Sequence, residues 1–302
     1  MKEIYLDENN GLIDENKWKN LIGSIKTNFD NLETNKERAK RVLKDKIMDA
    51  VKKRTENLDN FGILFSGGVD SSLIALICKQ LGLNFTCYSV GLENSQDIEA
   101  AKKVAESYNL NLKYKILSLE EFEGTIKNVV KILDSAEIVW VSVGSVVYAA
   151  GKLAVEDNNH ILFGGLGSEE LFAGYQRHEE ALKQNDFESL HNECWNGLKN
   201  MWQRDLLRDS LIAKNMNLEL RTPYLDSELI KYAMQIHPMY KLDKNNKKII
   251  LREVAKELGL KHEFAFRPKK AAQYGSNFVK GIDKLAKKNN FSSKKNYLQS
   301  LI

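Results

Sequence analysis

Cysteine is scarce. The chain has three, Cys78, Cys87 and Cys194, odd in number, far apart and set in apolar or mixed surroundings. That argues against a disulfide framework or a zinc site built on paired cysteines and leaves three reduced core residues. Histidine is also thin, at 160, 178, 191, 237 and 262, with no metal-ligand spacing among them. Long apolar stretches are missing as well. No run reaches the ~18 residues needed to span a bilayer, and the opening MKEIYLDENN has no apolar segment of the signal-peptide kind. The expectation is a cytoplasmic protein with no membrane partner. Nor is there a strong excess of charge: 45 Lys and Arg against 41 Asp and Glu give a formal +4, short of a dedicated nucleic-acid binder and equally compatible with small phosphate-bearing ligands. Internal repeats and low-complexity linkers are absent. What is present is 302 residues at 43% hydrophobic content, enough for one large core or two modest ones.

The pattern along the chain divides into three. Residues 1–35 are polar and weakly periodic, an arm or short leading element. Residues 36–180 alternate short apolar runs with helical patterns, and residues 181–302 are mainly helical and richer in charge, with Trp195 and Trp202 among them. From Asn35 to about Lys53, Ala39, Leu43, Ile47, Ala50 and Val51 form one helical stripe. The lysines and arginines off that stripe fit either a nucleic-acid face or a solvated one. Glu37, Asp45 and Asp49 break up the charge and favour the second. Runs at 62–66, 84–92, 111–119 and 160–164 then alternate with helical patterns over 71–81, 96–109, 120–133 and 142–155. Strands separated by helices predict an α/β fold, a parallel sheet with helices on both faces, and a helical C-terminal layer covering its mouth. The ligand belongs at the C-terminal strand ends, where Ser66, Val90 and Gly164 fall.

Four stretches could carry chemistry. FSGGVDSSLIA runs from an apolar strand through Ser66, Gly67, Gly68, Asp70, Ser71 and Ser72 into an apolar helix. Two glycines permit a tight turn, and the helix start leaves N–H groups unpaired, a place for an anion. Asp70 is out of place beside a phosphate unless a divalent cation lies between them, so the loop reads as a nucleotide phosphate site with Mg²⁺. It is neither GxxxxGK[ST] nor GxGxxG; the alternative is an ordinary glycine-rich turn. ILFGGLGSEELFAGYQRH supplies four glycines and adjacent Glu169 and Glu170. One carboxylate suffices to share a cation with Asp70, and the other is expected to cap a helix or pair with a base, because adjacent like charges are costly in a dry site. LELRTPYLDSEL interleaves Glu219, Arg221 and Asp226 with apolar residues, a fixed pair for acid/base work or a structural salt bridge. RPKKAAQYGS brings Arg267, Lys269 and Lys270, either neutralising a phosphoryl group or forming a solvated basic turn.

Taken in order, FSGGVDSSLIA, YSVGLENSQDIEAAKKVAE, GLGSEELFAGY, LELRTPYLD and ILREVAKELGL with RPKKAAQYGS resemble the synthetase domain of the asparagine synthase family, within the ATP pyrophosphatase group, over roughly residues 38–285. The closing motifs look closest to the asparagine synthetase domain-containing proteins. The resemblance implies an adenine nucleotide alpha-hydrolase-like fold and an AMP-forming ligase that uses ATP and Mg²⁺. Such a ligase adenylates a carboxylate, releases pyrophosphate and lets ammonia attack. By the same resemblance Ser66, Gly67, Gly68, Asp70, Ser71 and Ser72 hold pyrophosphate and Mg²⁺. Asp70 and Glu169 are the metal carboxylates, with Glu169 standing where the family usually has aspartate. Leu64, Val90 and Gly165 line the nucleoside, Lys269 stabilises the phosphoryl transition state, and Glu219 helps deprotonate the nucleophile.

Two departures shape the expectation. Lys2, not a nucleophilic cysteine, follows Met1, and only some sixty residues precede the loop; the expectation is no intrinsic glutaminase, with ammonia free or delivered by a separate glutaminase subunit. Leu166 stands where the family's SGEGSDE has a glutamate near the aspartyl substrate. That weakens aspartate as the carboxylate more than it weakens AMP transfer. The alternatives left open are another carboxylate, tRNA as the adenylated partner, or a non-catalytic nucleotide-binding protein. A homodimer is compatible with each.

Overall fold

The computed structural model describes residues 2–182, 186–268 and 271–302. Two helices lead, α1 (Glu15–Ser24) and α2 (Lys36–Thr55), followed by β1 (Phe61–Leu64), α3 (Val69–Gln80), β2 (Phe85–Gly91), α4 (Gln96–Tyr108) and β3 (Leu112–Ile116). Then come α5 (Leu119–Leu133), α6 (Ile138–Glu156), β4 (Ile161–Phe163), α7 (Ser168–Leu171), α8 (Gln176–Leu182) and α9 (Phe187–Met201). A π-helical turn over Trp202–Leu206 leads into α10 (Leu207–Met216) and β5 (Glu219–Arg221), and α11 (Ser227–Gln235) and α12 (Ile249–Glu257) follow. The short α13 (His262–Ala265) and α14 (Ala272–Gly275) precede α15 (Phe278–Lys288) and α16 (Lys294–Gln299).

All pairings among the five strands are parallel, in the order β3-β2-β1-β4-β5. The strand interiors are apolar without alternation, as Phe61, Ile63, Cys87, Leu162 and Phe163 illustrate, which is what a sheet buried on both faces requires. Two cores result. One gathers α2, α3, α9, α11 and α12, with Leu43, Ile74, Leu198, Leu229 and Val254; the other gathers α5, α6, α10, α15 and α16, with Phe122, Ala150, Ile212, Leu285 and Tyr297. The expected α/β architecture with helices on both faces is therefore present. The stripe read on α2 is fully buried, and its off-stripe lysines are largely paired: Lys36 with Glu253, Lys40 with Glu37 and Glu257, and Lys46 with Glu228.

Three readings change. The helical character expected beyond residue 180 is interrupted by β5, which three residues with two charges could not announce by periodicity. The expectation that no segment is long and apolar enough to cross a membrane is corrected by α6, with 19 residues and a hydropathy of 1.7. Its serines, glycines and alanines blur the apolar run in the sequence but add no charge. Half of that window is buried inside the protein, packed against β2, α5 and α10, as a core helix would be. Finally, residues 2–35 lie on the body. Tyr5, Trp18 and Ile22 are buried, and the Trp18 indole donates to the Leu198 carbonyl.

Candidate active site

The strand order reverses beside β1, whose neighbours β2 and β4 leave it in opposite directions, and a crevice opens at such a switch point beyond the carboxyl ends of the strands. The loops after β1 and β4 form its two sides. After Leu64 the chain turns through Ser66 and Gly67, where φ is +63° and a Cβ would lie 2.6 Å from the Ala100 carbonyl carbon and the Ala101 nitrogen. Only glycine meets both conditions. Gly68 then caps α3 without any side-chain acceptor, so the first-turn N–H groups and the positive end of the helix dipole are available to an anion. Ser71 Oγ accepts the Ser66 N–H at 3.4 Å and donates to the Gly68 carbonyl at 3.3 Å, while Ser66 Oγ accepts the Gly68 N–H at 3.4 Å. Ser72 Oγ is buried without a partner among the described residues. Gly67→Ala should lower affinity for ATP by at least about tenfold and Tm by a few degrees, because the loop must leave α4 to relieve the clash and the strained φ. Calorimetric titration and thermal unfolding check this; unchanged ATP affinity would remove the loop from the site.

A charged centre lies at the start of α3. Asp70 is 6% exposed; its Oδ1 accepts from the Ser168 hydroxyl and from Lys248 Nζ at 2.8 Å, and the same ammonium lies 2.8 Å from Glu169 Oε1. The Tyr224 hydroxyl donates to the Asp70 carbonyl at 3.1 Å and fixes the helix start. Burial disfavours the Lys248 charge, but Asp70 and Glu169 outweigh it and hold its pKa above the ordinary lysine value. Lys248 reaches this position from the residue before α12, at φ +58°. Glu170 faces the other way. Its carboxylate is fully buried and pairs with Arg204, with Arg177 3.7 Å away, and burial pushes its pKa up to about 7 against the pull of Arg204. The adjacent pair is split as expected, one carboxylate at the mouth and the other on a base.

Asp70 and Glu169 border a cleft of about 1150 Å³, while Lys248 and Glu170 are not on its surface. Of the residues expected at the site, Leu64, Ser66, Asp70, Ser71, Val90, Gly165, Glu169 and Glu219 line it, as does Leu166. Gly67, Gly68 and Ser72 are not on its surface; the first two shape the loop and Ser72 is buried behind it. Glu219 is half exposed on β5, its Oε1 held by Arg221 Nε at 2.7 Å. Asp226 serves elsewhere, capping α11 and pairing with Arg54. Arg267 points to the phosphate loop, with Nη2 3.4 Å from the Ser66 carbonyl. Lys269 and Lys270 lie outside the described residues. Among the described residues no group of three or more His, Cys, Asp or Glu side chains converges on a metal position. Two carboxylates that meet at one cation are nevertheless what Mg²⁺ uses when substrate phosphates and water complete its shell, so Asp70 and Glu169 fit that ion. Lys248 was not read from the sequence. In KNNKKIILRE it is indistinguishable from the exposed Lys244 nearby, and only its burial sets it apart.

The asparagine synthase family model matches residues 42–190 and 184–295. The chain belongs to the asparagine synthase family. A Methanocaldococcus jannaschii protein named "Putative asparagine synthetase (glutamine-hydrolyzing) 1" is 35% identical over 316 residues, covering 94% of this chain and 58% of its own length. The asparagine synthetase (glutamine-hydrolyzing) of Gallus gallus is 31% identical, covering 86% of this chain and 46% of its own. The chain thus spans about half the length of these curated relatives. Among solved structures, an NH3-dependent NAD synthetase from Campylobacter jejuni superposes with a TM-score of 0.35 at 18% identity, over 59% of this chain and 93% of that one. Within the family frame, the loops after β1 and β4 and the segment carrying β5 all fall inside the matched residues.

Proposed function

We propose that the cleft activates a carboxylate with ATP for attack by ammonia, an AMP-forming ligation of which asparagine formation from aspartate is the form that names the family. The observation that carries this reading is the convergence of Asp70, Glu169 and Lys248 over the uncapped N-terminus of α3. Asp70 and Glu169 would hold Mg²⁺, which supplies charge neutralisation to the phosphates. The first-turn N–H groups of α3, with the hydroxyls of Ser66 and Ser71, bind the β- and γ-phosphates, and Leu64, Val90 and Gly165 flank the nucleoside. The substrate carboxylate oxygen attacks the α-phosphorus, the bond to the bridging oxygen breaks, and pyrophosphate leaves onto the loop. Lys248 and Lys269 are assigned to the charge that develops there. Ammonia then attacks the acyl carbon and AMP departs. Glu219 takes the proton released from nitrogen; Arg221 fixes one carboxylate oxygen, and the other has no described partner.

Leu166 offers no charge to the amino group of an aspartate, so the test is pyrophosphate release from MgATP with ammonium and a panel holding aspartate and apolar-tailed carboxylates, each component omitted in turn. Release that needs one carboxylate and ammonium, with AMP as co-product, is the expected result. Silence across the panel from protein that binds MgATP would remove small carboxylates as substrates. The pairing of the α2 lysines leaves little to support tRNA in that role.

A further inference from the structure

The two carboxylates assigned to the metal are not bare. Lys248 Nζ stands 2.8 Å from Asp70 Oδ1, 2.8 Å from Glu169 Oε1 and 3.2 Å from the Ser168 hydroxyl. The lysine is 4% exposed and lies off the cleft surface to which Asp70 and Glu169 contribute. The ammonium therefore backs the pair from the protein side. Arg252, one turn further along α12, turns to main-chain oxygens instead, donating through Nε and Nη1 to the carbonyls of Lys247, Ala265 and Arg267.

The backbone is bent to put that ammonium there. Lys248 has φ +58°, in the left-handed region that costs an ordinary side chain and that Asn and Asp tolerate best. Among the described residues eleven other than glycine have positive φ; nine are Asn or Asp, and the remaining two are Ala173 and Lys248. Both exceptions fall at this centre. Ala173 leads into Gly174, where a Cβ would lie 1.6 Å from Glu169 Oε2 and 2.5 Å from Lys248 Cε. Just before Lys248, the bridge between Leu242 and Lys247 and the 2.6 Å bond from Arg252 Nε to the Lys247 carbonyl hold the chain. Strain at these two positions goes with function rather than with a surface turn.

Two carboxylates side by side in a poorly solvated wall repel each other, and a divalent cation would relieve them. An ammonium in hydrogen-bond contact with both already does so, and it opposes a second cation arriving within a few ångström. Mg²⁺ gives up water reluctantly and relies on substrate phosphates beside one or two carboxylates. The phosphates restore the negative charge that the ammonium has offset. We infer that Lys248 is the resident counter-ion of the carboxylate pair, making it refuse a free divalent cation and admit one only together with the phosphates of the nucleotide. This rests on the reading of Asp70 and Glu169 as metal carboxylates and adds an order to it: metal and nucleotide enter together, and the nucleotide-free cleft holds no metal.

The test titrates the full chain with Mn²⁺, read by the water-proton relaxation enhancement that protein-bound metal gives, without and with α,β-methylene-ATP. Lys248→Met, which removes the charge at similar volume, should bind Mn²⁺ without nucleotide at least about tenfold more tightly than the unmodified protein. Adding Asp70→Asn should abolish that gain, which places the metal on the carboxylate pair. Equal nucleotide-free affinities in Lys248→Met and the unmodified protein overturn the inference. If Lys248→Met does not fold, the unmodified protein decides: bound Mn²⁺ that needs the ATP analogue supports the counter-ion, and binding equally tight without it overturns it. Absence of bound Mn²⁺ even with the analogue is a different failure, one that removes the metal reading of the cleft and this inference with it.

Discussion

Asp70→Asn should reduce ATP-dependent pyrophosphate release on the order of 10²–10³-fold, the usual loss when one preorganised electrostatic contact to the reacting charge is removed. Asparagine keeps an oxygen for the Ser168 hydroxyl and for Lys248, so the buried hydrogen bonds to Oδ1 can persist. What disappears is the negative charge that, with Glu169, would hold Mg²⁺ over the start of α3. The loss should therefore appear as a weakened Mg²⁺ dependence of ATP binding, while Tm of the ligand-free protein falls by only a few degrees. Measuring nucleotide affinity with and without Mg²⁺ beside the melting curve separates a ligand role from a folding role. Undiminished pyrophosphate release by the folded variant would remove Asp70 from the chemistry.

The largest effect on stability is expected at Arg54, which is not among the residues of that centre. Its guanidinium, 1% exposed, donates through Nε and Nη2 to the two oxygens of Glu3, at 2.7 and 3.0 Å, and through Nη1 to Asp226 Oδ2 at 3.1 Å and the Ala50 carbonyl at 3.1 Å. Glu3 also accepts from the Thr222 N–H and hydroxyl just after β5. One arginine thereby ties the N-terminal segment, the end of α2, the β5 exit and the cap of α11 together. Arg54→Met leaves two buried carboxylates without their main cation and should cost about 3–5 kcal/mol, a drop in Tm on the order of 5–10 °C. The double variant with Glu3→Gln should recover part of the loss, since it removes one stranded charge. A Tm for Arg54→Met within error of the parent would show that the network contributes nothing net. Because β5 carries Glu219, turnover should fall too, even where the variant is still folded.

The α2 stripe, the apolar strands and the Gly67–Gly68 turn were legible because each is a local signal. A buried parallel strand is a short apolar run, an amphipathic helix repeats every 3.6 residues, and a turn that needs positive φ asks for glycine. Glu169 and Glu170 were legible only as a pair, and burial behind Arg204 decided which one turns away from the mouth. β5 was not legible, because three residues are too few to show a period and its pairing with β4 comes from 58 positions upstream, Ile161 against Glu219.

By itself the sequence determined the order of the first four strands and the helices between them, the loop that faces an anion, the family, and the acidic residues that could meet there. Only the tertiary structure decided how the charges are matched. Lys248 reaches Asp70 across 178 residues, and Arg54 reaches Glu3 across 51 and Asp226 across 172. A lysine or arginine carries the same letter whether solvated or buried. What distinguishes the two is the cost of desolvating the charge, and that cost exists only once the chain has folded and brought the partner that offsets it.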